Sequence, residues 1–284
     1  MKPHSITIFT HHDPDDTGKD LARLVEAVLA EGVEVRLPVA EVEKHSFDER
    51  EGCVLGADPE GSCELAVVLG GDGTILTALR ACARKRAPVF AFNYGAIGFL
   101  STVEREQLDD GIRRLLEGDY ETLPMPALEV QIEGQRRIGV NDISFHRQSG
   151  ARVATLGYSV GGEQLGRVRC DGLVAATPVG STGYNLANGG PVLAWGVEGF
   201  VVSFIAPHTL TARSLVVAPG DGLAVVNSSE RDAVEVTTDG RPAGELNPGD
   251  ELEVRFHDDE VLLAQVPGVT FYHRFGEKFG RLAR

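Results

Sequence analysis

Gly70-Gly71-Asp72-Gly73-Thr74 is the segment of this sequence best placed to do chemistry. Glycines at a strand-to-helix junction let the backbone come close to a phosphate, and the free N–H groups at the start of a helix favour anionic oxygens. Asp72 is the odd member of such a site. A carboxylate repels phosphate unless a cation shields it or unless it addresses something else, such as a hydroxyl about to attack. That tension marks Asp72 as a candidate base, with Gly71, Gly73 and Thr74 as candidate nucleotide contacts. The plainer alternative is a glycine-rich turn in which Asp72 only caps a helix, since Asp is a favoured cap. Neither a Walker A loop nor a GxGxxG fingerprint stands at this junction, so P-loop kinases and ordinary dinucleotide-dependent dehydrogenases are not supported.

Five further segments carry residue types suited to a ligand. Asn93-Tyr94-Gly95-Ala96-Ile97-Gly98-Phe99-Leu100-Ser101 is a glycine-rich apolar turn, open to packing or binding. The run from Asp171 through Thr177-Pro178-Val179-Gly180-Ser181-Thr182-Gly183-Tyr184-Asn185 to Gly189-Gly190-Pro191 offers hydroxyls, an aromatic face and backbone groups. These suit a nucleoside, although Ser/Thr/Gly/Pro richness also marks solvent loops. Asn141-Asp142-Ile143 reads as a binding pair or a hairpin turn, and Asp239-Gly240 leaves the same two readings open. Ala206-Pro207-His208 includes a histidine that is either a base or, as such residues more often are, structural.

The elements that must position these segments change character along the chain. Ser5 to Thr10 reads as a buried strand, residues 18–29 as a helix with Leu21, Leu24, Val25, Val28 and Leu29 on one face, and residues 33–37 as a strand. Residues 41–61, polar and unperiodic, read as a mobile loop. A strand over 64–69, a helix over 75–85 and a strand over 88–92 then bracket the glycine loop. Leu108, Ile112, Leu115 and Leu116 mark a helix that ends near Gly118. Strands alternating with helices predict a parallel sheet. From 121 onward, strand-like runs at 128–132, 153–160, 168–176, 200–205, 233–237, 252–256 and 261–266 predict a largely antiparallel β domain. Three segments follow: an α/β domain over 1–120, a β domain over 121–266, and an aromatic, amphipathic tail over 267–284 that packs back on a neighbour.

Composition narrows the partners. The chain has 284 residues and a net charge of −15, so neither nucleic acid nor an anionic membrane is drawn to it electrostatically. A phosphate ligand must be met locally, by backbone N–H groups, a few arginines and a divalent cation. Its 34 glycines exceed a typical share of roughly 7% and gather in short clusters. Cys53, Cys63, Cys82 and Cys170 form no CxxC pair and no zinc-ligand spacing with the histidines, which predicts reduced thiols. The opening MKPHSITIFT lacks the apolar core of a signal peptide, and no run reaches the roughly 20 apolar residues of a membrane span. A soluble, cytoplasmic enzyme is expected.

The ordered motifs resemble those of the ATP-dependent NAD kinases. GGDGT is shared with diacylglycerol- and sphingosine-type lipid kinases and with phosphofructokinases, but the later segments are similar to NAD kinase motifs alone. Residues 93–101 resemble NxGxLGFL, with Ile97 for leucine. The stretch from Asp171 to Pro191 resembles DG…TPxGSTAYxxxxGGP, with Gly183 for alanine, and Asn141-Asp142 resembles an Asn-Glu pair, with a shorter acid. The resemblance implies a Rossmann-like α/β N-terminal domain, an all-β C-terminal sandwich and a tail returning to the first domain. It implies phosphorylation of the 2′-hydroxyl of NAD's adenosine ribose to give NADP, with ATP, or polyphosphate, as donor. Asp72 is the implied base and Mg2+ the implied cofactor, arriving with ATP and not on fixed protein ligands. NAD or nucleotide contacts are implied at Gly71, Gly73, Thr74, Asn93, Asn141, Asp142, Arg169, Asp171, Thr182, Gly183, Tyr184, Ala187 and Ala206. A homodimer or homotetramer is implied as well. A lipid kinase, or a nucleotide-binding regulator without turnover, stands as the alternative.

Overall fold

The computed structural model describes residues 2–96 and 98–280. Strand β1 (Ser5–Thr10) is buried over nearly its whole length, as a central strand covered on both faces should be. Helix α1 (Pro14–Ala30) starts four residues before its apolar period becomes visible. Asp13 caps it by accepting the Asp15 N–H at 3.0 Å, and Pro14 occupies the first turn. Strand β2 (Glu34–Leu37), helix α2 (Val39–His45), strand β3 (Cys53–Leu55) and strand β4 (Ala66–Gly70) follow. Helix α3 (Asp72–Cys82), strand β5 (Pro88–Asn93), the short β6 (Val103–Glu104) and helix α4 (Leu108–Glu117) complete this part, and Gly118 ends α4 at φ 70°. The strands lie parallel in the order β3-β2-β1-β4-β5. Leu21, Leu24, Val25 and Val28 of α1 and Ile112 and Leu115 of α4 share one core with Ile6, Ile8, Val67, Leu69, Phe90 and Phe92.

The mobile loop expected over 41–61 is instead partly helix and strand. The buried side of α2 is carried by Glu41, 6% exposed, and so shows no hydrophobic period. Glu41 accepts from Thr10 Oγ1 at 2.6 Å and from Lys44 Nζ at 2.8 Å. Strand β3 then pairs in parallel with β2.

The following part is built from strands. In chain order they are β7 (Glu121–Ile132), β8 (Gln135–Gly139), β9 (Asp142–Arg147), β10 (Ala154–Val160), β11 (Glu163–Cys170) and β12 (Gly172–Ala176). The short helix α5 (Tyr184–Ala187) precedes β13 (Phe200–Ile205), β14 (Leu215–Val217), β15 (Leu223–Asn227), β16 (Val234–Thr238), β17 (Arg241–Leu246) and β18 (Glu251–Gln265). One antiparallel sheet runs β14-β13-β12-β9-β16-β17, and β11-β10-β15-β18 form a second antiparallel set. Phe145, Leu173 and Phe200 of the first share a core with Leu156, Leu223, Val225 and Val254 of the second.

Two expected strands differ. The run over 168–176 divides at Asp171, with β11 in one sheet and β12 in the other. Apolar residues on both sides of the break hide it. Gly172 permits the crossing, because a Cβ there would lie 2.2 Å from the Phe145 carbonyl oxygen. The runs over 252–256 and 261–266 are one continuous strand, β18. Its polar middle is accommodated by ion pairing, with Arg136 bridging Glu260 and Glu129 at 2.7 Å each.

The chain divides into two units, the residues up to Pro124 with those from Val261 onward, and Met125–Glu260. In the first unit, the end of β18 pairs in parallel with β5 through Leu262–Pro88 and Leu263–Val89. Helix α6 (Phe271–Phe279) follows, its Thr270 cap accepting the His273 N–H at 3.2 Å. Among the described residues, no helix is long and apolar enough to cross a membrane.

Removing one partner from a buried ion pair leaves the other charge uncompensated. Glu41→Ala is therefore expected to cost about 3 kcal/mol in urea unfolding, while a surface change such as Glu49→Ala leaves the midpoint within experimental error.

Candidate active site

In the first unit the site begins with register. Strands β4 and β5 are parallel neighbours with Gly70 opposite Asn93, so the two glycine-rich loops leave the sheet at the same level. Backbone meets backbone there: a Cβ on Gly71 would lie 3.2 Å from Gly95 Cα, and one on Gly95 3.0 Å from Gly71 Cα. Gly70 leaves room for Thr74, whose side chain a Cβ would meet at 2.6 Å. Gly71 caps α3, and the helix begins at Asp72, three residues ahead of the expected 75. Gly73 lies exposed in its first turn.

Asp72 does not cap its own helix. Its Oδ2 accepts the Phe99 N–H at 3.1 Å and its Oδ1 the Leu100 N–H at 3.0 Å. The carboxylate is thus fixed across the two loops, at the helix end whose dipole favours negative charge. Asn93, expected as a nucleotide contact, spends its amide inside the loop. Its Nδ2 donates to Glu104 at 2.7 Å and its Oδ1 accepts the Gly95 N–H at 2.9 Å. Gly98, at φ 63°, is required because a Cβ would lie 2.2 Å from Asn93 Nδ2. Ile97, the residue standing for the family leucine, lies outside the described residues.

In the second unit Asn141 and Asp142 enter β9 on a turn held by Asp239. The Asp239 carboxylate accepts the N–H groups of Val140, Asn141 and Asp142 at 3.2, 2.7 and 3.1 Å, and its own N–H donates to the Asp142 carbonyl at 2.9 Å. Asp239 sits at φ 47° to do so. Sequence reading left the Asp239-Gly240 turn open; the structure makes Asp239 the clamp. Burial first, then the Asp239 charge, pushes the Asp142 carboxyl up to about 7. The Asn141 carbonyl accepts the Thr177 N–H at 2.9 Å, while Asn141 Oδ1 is buried without a hydrogen-bond partner among the described residues.

The Thr177–Tyr184 segment packs on this turn. Thr177 Oγ1 donates to the Val140 carbonyl at 2.6 Å and accepts the Gly180 N–H at 3.1 Å. Gly180 abuts Asn141 so closely that a Cβ would stand 2.0 Å from its carbonyl oxygen. Thr182 Oγ1 donates to the Val179 carbonyl at 3.3 Å, Gly183 stands just before α5 and Ala187 ends it, exposed. Tyr184 stacks on His146 with ring centroids 5.7 Å apart. His146 carried no motif, and only its alternation along β9 places it on this face.

Asp171 stands at the corner between β11 and β12, and Arg147 Nε donates to its Oδ1 at 2.6 Å. Beside it, Ala206 follows β13 at φ 43°. Arg169 is exposed on β11, and its carbonyl accepts the His208 N–H at 2.7 Å. His208 is exposed, its ring making no hydrogen bond among the described residues, so nothing prepares it as a base.

The α/β unit thus carries a carboxylate held at a glycine-rich loop, and the β unit carries a group of polar and aromatic side chains around the turn before β9. A family model for the ATP-NAD kinase N-terminal domain matches residues 40–120, and one for the ATP-NAD kinase C-terminal domain matches residues 140–266. The NAD kinase of Geotalea daltonii is 34% identical over 272 residues, 92% of each chain. That of Gemmatimonas aurantiaca is 35% identical over 221 residues, 75% of this chain and 76% of its own. The chain belongs to the NAD kinase family. Yeast NADH kinase complexed with NADH superposes with a TM-score of 0.87 at 22% identity, over 99% of this chain and 88% of its own. An NAD kinase from Archaeoglobus fulgidus in complex with ATP gives 0.76 at 24%, over 98% of both. At these identities the two structures speak to the fold alone. The lipid-kinase alternative finds no support among these relatives.

Two outcomes follow from the second unit. Gly180→Ala is expected to cost about 2 to 3 kcal/mol by forced overlap. At Gly183 a Cβ would meet the nearest atom at 3.4 Å with φ at −94°, so Gly183→Ala leaves the melting temperature within about 2 °C. The raised Asp142 carboxyl also ties stability to pH. The folded chain holds a proton on Asp142 that the unfolded chain releases near pH 4, so stability falls as pH rises from about 4 to about 7. Each pH unit in that window costs up to about 1.4 kcal/mol. Melting curves at pH 5 and pH 8 should show Asp142→Asn flattening this fall.

Proposed function

We propose that this chain transfers the γ-phosphoryl group of ATP to the 2′-hydroxyl of the adenosine ribose of NAD, forming NADP. The observation that carries the reading is Asp72, fixed at the start of α3 by two backbone amides in a family-matched chain. Each of its oxygens accepts one N–H and keeps a further lone pair for a hydroxyl. A carboxylate is a weak base for an alcohol, so its benefit is to aim the 2′-oxygen at the γ-phosphorus and to take the proton late in a loose transition state. The glycine loop, with Gly71, Gly73 and Thr74, offers backbone donors to phosphate oxygens.

The nucleoside falls to the second unit. Asn141 Oδ1, buried and unpartnered, is an acceptor suited to an adenine amino group, and Tyr184 supplies an aromatic face. Asp142 is assigned the ribose hydroxyls in this reading, with Thr182, Gly183 and Ala187 of the segment that packs on its turn as further contacts. A carboxyl pushed up to about 7 can donate as well as accept there. Arg169, exposed, is free to meet a phosphate, whereas Asp171 must share its carboxylate with Arg147.

Magnesium would neutralise the phosphate oxygens during transfer. In this proposal the ion arrives with ATP, held by the nucleotide's own phosphates. Action in the cytoplasm as a homodimer or homotetramer belongs to the same proposal.

The test is NADP formation from NAD, ATP and magnesium. Native protein is expected to turn over, and Asp72→Asn to fall roughly 100-fold or more in kcat while still binding NAD. Full activity in Asp72→Asn overturns the role of Asp72. No NADP from folded native protein with either ATP or polyphosphate overturns the reaction.

A further inference from the structure

Arg274 of α6 is only 6% exposed, an unusual place for a guanidinium, and its donors must be answered there. Nη1 donates to the carbonyl oxygens of Gly98 and Phe99, at 3.4 and 3.2 Å. Nη2 donates to Gln265 Oε1, and Gln265 Nε2 donates in turn to the Leu100 carbonyl at 3.3 Å. Helix α6 is also held against this loop by Phe271 and Phe279, whose rings meet Phe99 edge-on at 5.8 and 6.2 Å.

The peptide groups that Arg274 engages are the ones that hold Asp72. The Gly98–Phe99 peptide gives its carbonyl to Arg274 and its N–H to Asp72 Oδ2. The Phe99–Leu100 peptide gives its carbonyl to Arg274 and its N–H to Asp72 Oδ1. We propose that Arg274 is a positioning residue for the reaction, orienting Asp72 through these two shared peptide groups.

A cation on a peptide oxygen polarises the group and strengthens its N–H as a donor, so each link is reinforced at both ends. Two such links in succession fix both the direction and the rotation of the carboxylate. Burial pulls the Arg274 pKa below its usual value, with the charges of Asp72 and Glu104 opposing that fall. The loop from Gly98 to Leu100 therefore links a buried cation to the Asp72 carboxylate through its own peptide groups.

The inference rests on Asp72 being the reacting carboxylate, and a double-mutant cycle on the full-length chain tests it. Arg274→Met is expected to lower kcat about tenfold or more, with KM for NAD and ATP within about twofold, and Arg274→Lys to restore most of the loss. In an Asp72→Asn background, Arg274→Met should cost nothing further, because the group it positions is gone. Amide hydrogen exchange at Phe99 and Leu100 supplies a readout without turnover, and it should quicken in Arg274→Met at unchanged global stability. If Arg274→Met does not fold, Arg274→Gln carries the same cycle and the same exchange measurement. Losses that multiply in the double variant, or unchanged exchange at both amides, would overturn the proposal and leave Arg274 a packing residue. Native protein that makes no NADP but shows the exchange effect would refute the kinase reaction while leaving the relay intact.

Discussion

The grip of two backbone amides on the Asp72 carboxylate is the interaction on which the first unit's chemistry depends. A carboxylate among phosphate-binding amides is electrostatically awkward unless its direction is controlled. Control comes from a chain of close approaches, each demanding a particular residue. Parallel register sets Gly70 beside Asn93, Gly71 and Gly95 bring the loops together without side chains, and Asn93 folds the second loop back through Glu104 and the Gly95 N–H. Gly98 turns at positive φ where any Cβ would strike Asn93, and the next two amides then face Asp72.

The second unit uses the same device in a different role. Asp239 also accepts backbone N–H groups, three of them, but it serves as the clamp and not as the working group. By tying down the turn before β9 it fixes the backbone of Asn141 and Asp142. Burial of the acid comes first, and the added negative charge of Asp239 beside it second, in pushing the Asp142 carboxyl up to about 7. Gly180 and Thr177 close the other side of that turn, and the absence of a methyl at Gly183 proves uncritical for packing.

Sequence reading reached the elements whose burial is carried by apolar side chains. The ends of β1 and β13 and the Gly118 stop of α4 follow directly from continuous apolar runs and a left-handed cap. It failed where burial is polar or where apolar runs cross a corner. Helix α2 turns Glu41 inward, β8 is a largely exposed hairpin strand, and Asp171 breaks a run whose flanks look alike. The motifs drew attention to Asp72, Asn141, Asp142 and Tyr184, while the loop-internal bonds of the Asn93 amide to Glu104 and Gly95 were not legible in them. Asp239 as clamp and Arg274 as partner of the Gly98–Leu100 loop were not legible, because both act through backbone groups distant in sequence, 97 residues for Asp239 and Asp142 and 175 for Arg274 and Phe99.

The most direct measurement is a crystal structure of the native chain with NAD bound. The account predicts the 2′-oxygen of the adenosine ribose within hydrogen-bond reach of Asp72, about 2.6 to 3.2 Å, with the carboxylate still accepting the Phe99 and Leu100 N–H groups. A 2′-hydroxyl that lies well beyond reach, or an Asp72 released from both amides when NAD binds, would contradict it.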